Sequence, residues 1–274
     1  MSELVKRIIT GVIGAAIFIG SILYSNWSFV LIFLAINIAA SGEYFRIIKK
    51  INKEDAKKID TFFYILFAAA IYSTSIFALF YGKWYSLIIV AIILYFIFQY
   101  YISNINNSKY TSLWQQLLGF LYVVWPFVII NILAYYNFNN EFNPFIVLGI
   151  LLIMWSNDIM AYFVGKKYGK TPLAKKISPN KTVEGFAGGM VGSLLMAAIV
   201  YYAVPNGYGI HWFGVALIIA IAGPIGDLFQ SGLKRKAEIK DSGFLLPGHG
   251  GFLDRFDALI FALPFVFLYL LYFL

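Results

Sequence analysis

The amino-acid sequence predicts an all-α, polytopic integral membrane protein of about nine transmembrane helices, with its N-terminus in the cytoplasm. Three observations carry that prediction. Hydrophobic residues make up 61% of the chain and aromatic residues 19%, with a mean hydropathy of +0.78, a composition that points to a membrane protein at this length. Apolar runs long enough to cross a bilayer recur from one end to the other. When nine such spans are drawn, every one of the 21 Lys and Arg except Lys83 falls on one side, and that asymmetry sets the orientation because cytoplasmic loops retain basic residues.

In chain order the expected spans are 8–24, 27–47, 61–81, 84–102, 112–136, 144–165, 184–205, 211–233 and 256–274. MSELVKR before the first run has the look of a signal peptide, but no small-residue cleavage site follows it, so it reads as a retained first helix. The turn at 82–83 and the segment 103–111 are the weakest boundaries, and NNEFNP at 139–144 reads as a polar external turn. Residues 1–140 are expected to form an N-terminal transmembrane scaffold of helices 1–5. Residues 141–274 are expected to form a C-terminal catalytic region of helices 6–9, the two making one integrated membrane domain. The basic loops 46–60, 166–183 and 234–255 face the cytoplasm in this arrangement. Lys49, Lys50, Lys53, Lys57 and Lys58 serve topology first. No nucleic-acid partner is expected, because no nucleic-acid-binding motif accompanies the charge. With no cysteine in the chain, disulfides, thiolate metal sites and cysteine nucleophiles are excluded.

Charge is otherwise scarce and is concentrated in residues 226–257, GDLFQSGLKRKAEIKDSGFLLPGHGGFLDRFD. On a helix, Asp227, Ser231 and Lys234 stand at i, i+4 and i+7 and share one face. Asp254 and Asp257 add carboxylates at i and i+3 near the start of the last apolar run. Oxygen ligands from two elements, flanked by cations and glycines, suit a hard divalent ion with a phosphate substrate. The PGHGG turn at 247–251 allows a close backbone approach to phosphate. A solvated basic loop with balancing carboxylates is the simpler reading of any one of these residues, and their combined spacing argues against it.

Glu43, Asp158 and Asp227 stand within or at the edge of apolar spans, where a charge costs at least ~2.5–3.5 kcal/mol near the bilayer centre. Asp158 lies about 20 Å along the sixth span and Asp227 about 24 Å along the eighth, both in the cytoplasmic half of a core roughly 30 Å thick. Asp158, Tyr162 and Gly165 share a helix face, with Asn157 adjacent. Gly223, Pro224 and Gly226 precede Asp227 and invite a kink. Gly185, Gly188, Gly189 and Gly192 on the seventh span read as close helix packing. In KKYGKTPLAKKISPNKT at 166–182, the lysines act as mobile point charges suited to phosphate.

The run Ser231, Lys234, Arg235, Lys240, Asp241, His249, Gly250, Gly251, Asp254, Arg255 and Asp257 resembles the signature of the bacterial CTP:phosphatidate cytidylyltransferases, also called CDP-diacylglycerol synthases. SNDIMAYFVGKKYG at 156–169 and SPNKTVEGFAGG at 178–189 extend the resemblance over roughly the last 120 residues. The first 140 match only in general character. One departure is Gln230, where the family leads one to expect an acidic residue.

The resemblance implies that phosphatidate and CTP yield CDP-diacylglycerol and pyrophosphate, as a step of phospholipid biosynthesis, with Mg²⁺ required. It implies a multi-pass enzyme of the bacterial cell membrane whose active site faces the cytoplasm. Asp227 and Asp254 are then the metal ligands and, with Lys181, Lys234 and Arg235, the catalytic set. Ser178, Asn180, Lys181, Ser231, Lys234, Arg235, His249, Gly250, Gly251 and Arg255 are the expected substrate contacts, with Lys181 the leading phosphate ligand. Asp158, Asp241 and Asp257 are further ligands or orienting groups. His249 either donates to phosphate or stabilises its glycine turn, and a second metal ion and a homodimer stay open. His211, beside Trp212, is expected at the outer interface. The competing reading is a cation- or proton-coupled transporter. It lacks the paired broken helices of two corresponding halves and needs polar access from both sides, whereas the polar features here gather toward one.

Overall fold

The computed structural model describes residues 3–53, 58–81, 113–135, 141–175, 177–204, 207–243 and 250–274. Helices dominate: α1 (Glu3–Tyr24), α2 (Asn26–Ile51), α3 (Lys58–Tyr81), α4 (Leu113–Gly119), α5 (Trp125–Tyr135), α6 (Pro144–Tyr168), α7 (Val183–Ala203), α8 (His211–Lys236) and α9 (Leu253–Phe273). A single π turn, Phe120–Val124, joins α4 to α5, with the Trp125 amide reaching back to the Phe120 carbonyl. Pro126 follows at once, and its missing N–H accounts for a widened register at this point.

Among the described residues six helices are long and apolar enough to cross a membrane: Asn26–Ile51, Gln115–Tyr135, Pro144–Tyr168, Val183–Ala203, His211–Lys236 and Leu253–Phe273. Gly11–Tyr24 and Thr61–Phe77 are shorter apolar helices. The expected span 84–102 lies outside the described residues. Helices α2, α6, α8 and α9 run up to four residues past the predicted spans at their polar ends, because the basic residues that mark a membrane boundary remain good helix formers. Asn143 caps α6, accepting a hydrogen bond from the Phe145 amide at 3.1 Å, and Pro144 supplies the first helical residue.

The loop expected at 166–183 is instead partly extended. Strands β1 (Pro172–Ala174) and β2 (Ser178–Thr182) form an antiparallel hairpin with Pro172 opposite Thr182 and Ala174 opposite Ser178. This corrects the all-α expectation in a small way. The hairpin is too short and too polar to show strand alternation, and tertiary anchors hold it in place of an apolar face. Glu184 accepts hydrogen bonds from the Lys170 amide at 3.0 Å and the Thr171 amide at 3.2 Å, while the Val183 amide donates to Thr171 O at 2.9 Å.

Helices α6 to α9 pack in succession, α6 along α7, α7 against α8 and α8 against α9. On the other flank α9 meets α5 and α2, and α1 leans on both α2 and α6. The glycine stripe of α7 lets it lie close on α6: a side chain at Gly185 would come 2.8 Å from the Ala161 carbonyl and 3.2 Å from Gly165 Cα. Ser156 and Asn157 stitch the same seam through Gly192 O and Ser193 Oγ, both at 2.9 Å. The outer faces are apolar. Leu217, Ile221, Ile225 and Phe229 run at four-residue intervals along the exposed side of α8, and Val191, Leu195 and Ile199 do so on α7, as helices facing lipid do. Tyr208 and Trp212 are fully buried, so of the pair 211–212 only His211, which meets the Tyr269 hydroxyl at 3.2 Å, remains partly open.

Candidate active site

A cavity of 1110 Å³ opens where α1, α2, α6, α8, α9 and the hairpin converge. Its walls are of two kinds. Gly14, Phe18, Ile32, Ile36, Leu151 and Trp155 make an apolar side from α1, α2 and α6. Its polar end includes Asp158, Asn180, Lys181, Asp227, Asp254 and Asp257 among the lining residues.

Each polar residue arrives there for a local reason. Lys181 lies in β2 one position before Thr182, whose hydroxyl accepts the Gly185 amide at 3.1 Å and caps α7. The hairpin and the helix start therefore hold the lysine between them. Lys181 Nζ forms an ion pair with Asp227 of α8. Ser231, one turn on, donates to the other oxygen of Asp227 at 3.2 Å, as the i, i+4 spacing predicts. Helix α8 passes unbroken through Pro224. Since proline has no N–H, the Ala220 carbonyl is left without its usual intrahelical donor two turns before Asp227.

Lys234 does not reach its own helix's Asp227. It crosses to α9 and pairs with Asp254 Oδ1 at 2.6 Å. Asp254 Oδ2 accepts the Ser242 amide at 2.8 Å and the Gly251 amide at 3.2 Å, so both oxygens are engaged. Asp257, one helical turn further, is buried and accepts the Ala258 amide at 2.8 Å.

The remaining predicted residues are spread around this centre. Asp158 is exposed on the α6 wall of the cavity, and Arg255 lines it from α9. Asn180 lines it from β2, while Ser178 stands at the start of that strand, outside the lining. Arg235 and Asp241 are exposed and lie outside the cavity wall. Gly250 adopts a positive φ of 85°, a conformation that favours glycine, and its neighbour Gly251 supplies the amide to Asp254. His249 lies outside the described residues. Gln230 is fully buried, is not among the cavity-lining residues and has no hydrogen-bond partner for either side-chain polar atom among the described residues.

One residue belongs to the site's support although the motif reading assigned it no role. Glu43 of α2 is fully buried and accepts hydrogen bonds from Ser242 Oγ at 2.6 Å, the Leu253 amide at 2.9 Å and the Phe252 amide at 3.1 Å. The sequence signal was a carboxylate within an apolar span, and its partners lie about 200 residues away.

The chemistry of the arrangement suits an anion with an apolar body. Lys181 presents a cation to the cavity, and Lys234 lies outside its lining and reaches it through Asp254; each lysine is already matched to a carboxylate that a hard cation can use. No group of three His, Asp or Glu comes together as a ready-made metal site among the described residues. Two carboxylates on one cavity nonetheless fit a magnesium ion, which takes one or two protein carboxylates and completes its shell with substrate phosphates and water.

Residues 5–273 match the Cytidylyltransferase family over nearly their whole length. The chain belongs to that family. The chain is 50% identical over 118 residues to the phosphatidate cytidylyltransferase of Bacillus subtilis, an alignment covering 42% of this chain and 44% of that protein. It is 48% identical over 120 residues to the enzyme of the same name from Staphylococcus aureus strain COL, covering 43% and 46%. For the Aquifex aeolicus protein of that name the figures are 44% over 125 residues, covering 45% and 46%. The aligned part thus spans less than half the length of the curated relatives it matches.

Proposed function

We propose that this cytidylyltransferase joins phosphatidate to CTP, giving CDP-diacylglycerol and pyrophosphate. The observation that carries the reading is one cavity with an apolar wall from α1, α2 and α6 and a polar end lined by Lys181 with its partner Asp227 and by Asp254, which Lys234 pairs from outside the lining. Such a cavity suits a substrate that is half lipid and half phosphate. The curated relatives carry the name of this activity.

In the reaction, a phosphate oxygen of phosphatidate attacks the α-phosphorus of CTP, a new P–O bond forms, and the bond to the β-phosphate oxygen breaks to release pyrophosphate. Phosphatidate is already ionised at neutral pH, so no general base is needed. The task is to bring two anions together in line and to neutralise them. Lys181, on its hairpin, exchanges its carboxylate partner for phosphate oxygens as the substrates enter, while Lys234 stays paired with Asp254 and adds its positive charge to the site. Asn180 and Arg255 offer further donors at the same end. Asp227 and Asp254 are the residues to hold Mg²⁺, which when bound supplies charge neutralisation on the nucleotide phosphates. Asp158 and Asp257 serve as additional ligands or orienting groups, and a second ion would draw on them. Ser178, Ser231, Arg235, Asp241, His249, Gly250 and Gly251 complete the expected substrate and support set.

We also infer a nine-helix topology with the N-terminus and the polar end of the cavity in the cytoplasm, in the cell membrane of a bacterium. The distribution of Lys and Arg supports it, and the described apolar helices are compatible with it. The cysteine-free chain lends itself to a direct test. A cysteine placed at Lys53 is expected to react with an impermeant thiol reagent only from the cytoplasmic side, and one at Lys83 only from the opposite side; the reverse pattern would overturn the orientation.

The reaction itself is tested by pyrophosphate release from purified protein in detergent, with CTP, phosphatidate and Mg²⁺ each omitted in turn. Release that needs all three, with CDP-diacylglycerol as the lipid product, is the expected result. Folded protein that releases nothing from any nucleotide with any divalent ion would reject the reaction and call for a flux assay of the transporter alternative.

A further inference from the structure

A fully buried carboxylate in an apolar helix needs several donors to offset its desolvation. Among the described residues Glu43 has three, and none comes from its own helix. The Ser242 hydroxyl and the Phe252 and Leu253 amides converge on it from segments 199 to 210 residues away in sequence. The latter two amides are orphan donors at the start of α9, whose own cap residue, Phe252, makes no side-chain capping bond. Glu43 therefore caps α9 from another helix, with its negative charge at the positive end of the helix dipole.

The same two segments hold Asp254. Ser242 donates its amide to Asp254 and its hydroxyl to Glu43, while Gly251 donates to Asp254 and its neighbours Phe252 and Leu253 donate to Glu43. Two carboxylates are laced to one short piece of backbone. Glycine is required where this lacing is tightest: a side chain on Gly251 would run into Ser242 Oγ and the Glu43 carboxylate, and one on Gly243 into Glu43 as well.

We propose that Glu43 is a positioning residue of the cytidylyl-transfer site, fixing Ser242 and the first turn of α9 so that Asp254 faces the cavity in one orientation. This rests on the function proposed above. Glu43 lines no part of the cavity, so it acts through the backbone that it shares with Asp254.

Glu43→Gln is the first test, because it keeps the shape but sets an amide donor against backbone donors. Folded Glu43→Gln protein is expected to lose about 10- to 100-fold in kcat, with kcat/KM falling in parallel, the range seen when a group behind a reaction centre is removed. In an Asp254→Asn background the same change is expected to cost little more, because both act through one carboxylate. A contribution to general stability would instead cost the same in both backgrounds. Hydrogen exchange gives a readout without turnover: the amides of 251–254 should exchange faster in Glu43→Gln while those of α6 and α7 do not change. Should Glu43→Gln fail to fold, Ser242→Ala removes one donor and leaves the buried charge with two. It is expected to shift activity and exchange in the same direction by less. Unaltered kcat in either folded variant, or equal losses in both backgrounds, would overturn the positioning role. Absence of turnover by the parent chain would instead reject the reaction on which that role rests.

Discussion

The two lysine–aspartate pairs whose carboxylates line the cavity look alike on paper and are built differently. Lys234 and Asp254 are enclosed, with side chains 14% and 11% exposed, and the aspartate is further gripped by two backbone amides. Lys181 and Asp227 are more open, at 28% and 40%, with Ser231 donating to the aspartate and a short hairpin carrying the lysine. One pair is embedded in the framework and the other can open. The proposed reaction of two anions would use both kinds: a fixed charge to define the geometry, and a cation free to leave its partner for phosphate.

The strongest way to break this contrast is to neutralise each carboxylate. Asp254→Asn and Asp227→Asn are both expected to lower kcat by about 100- to 1000-fold, as loss of a charge-stabilising group at a reaction centre does. Only Asp254→Asn should also lower the thermal midpoint in detergent, since one end of the new amide must face either Lys234 or the Ser242 and Gly251 amides, which are all donors. Equal melting of the two variants would count against the distinction.

Next in size are the lysines. Lys234→Met strands a mostly buried carboxylate and is expected to cost about 3–5 kcal/mol of stability. Lys181→Met removes a more exposed pair, is expected to change stability by less than about 1 kcal/mol, and yet should depress turnover sharply. Denaturation and pyrophosphate release measured on the same preparations decide this. A stable Lys234→Met or an active Lys181→Met would undo the comparison.

Gly251→Ala tests the rigid side more gently, with an expected loss of about 1–3 kcal/mol from overpacking against Glu43 and Ser242. Ser231→Ala should be the mildest, within about 1 kcal/mol in stability because it touches the open pair. A modest rise in the KM for CTP is its expected kinetic mark.

Much of this was legible in the chain. The membrane class followed from composition, and the face shared by Asp227 and Ser231 followed from helical spacing. The glycine stripe on α7 was legible as a packing surface, because small residues at helix intervals leave room for little else. The hairpin was not legible. Pro172–Ala174 and Ser178–Thr182 have no apolar alternation, and Glu184 and Thr182 hold them through contacts that no local pattern announces. Spacing placed Lys234 with Asp227, whereas the structure sends it to Asp254. Two residues on one helix face need not be partners when a second helix brings a carboxylate closer.

The sequence by itself determined which residues are too costly to bury idly: Glu43, Asp158 and Asp227 in apolar spans, and the charged run 226–257. Desolvation gives such residues away without any knowledge of the fold. Only the tertiary structure decided who pairs with whom. Lys181 meets Asp227 across 46 positions, Lys234 meets Asp254 across 20, and Glu43 finds its donors about 200 residues on. Burial cost belongs to a residue, but its compensation belongs to whichever donors the packing of α2, α8, α9 and the hairpin delivers.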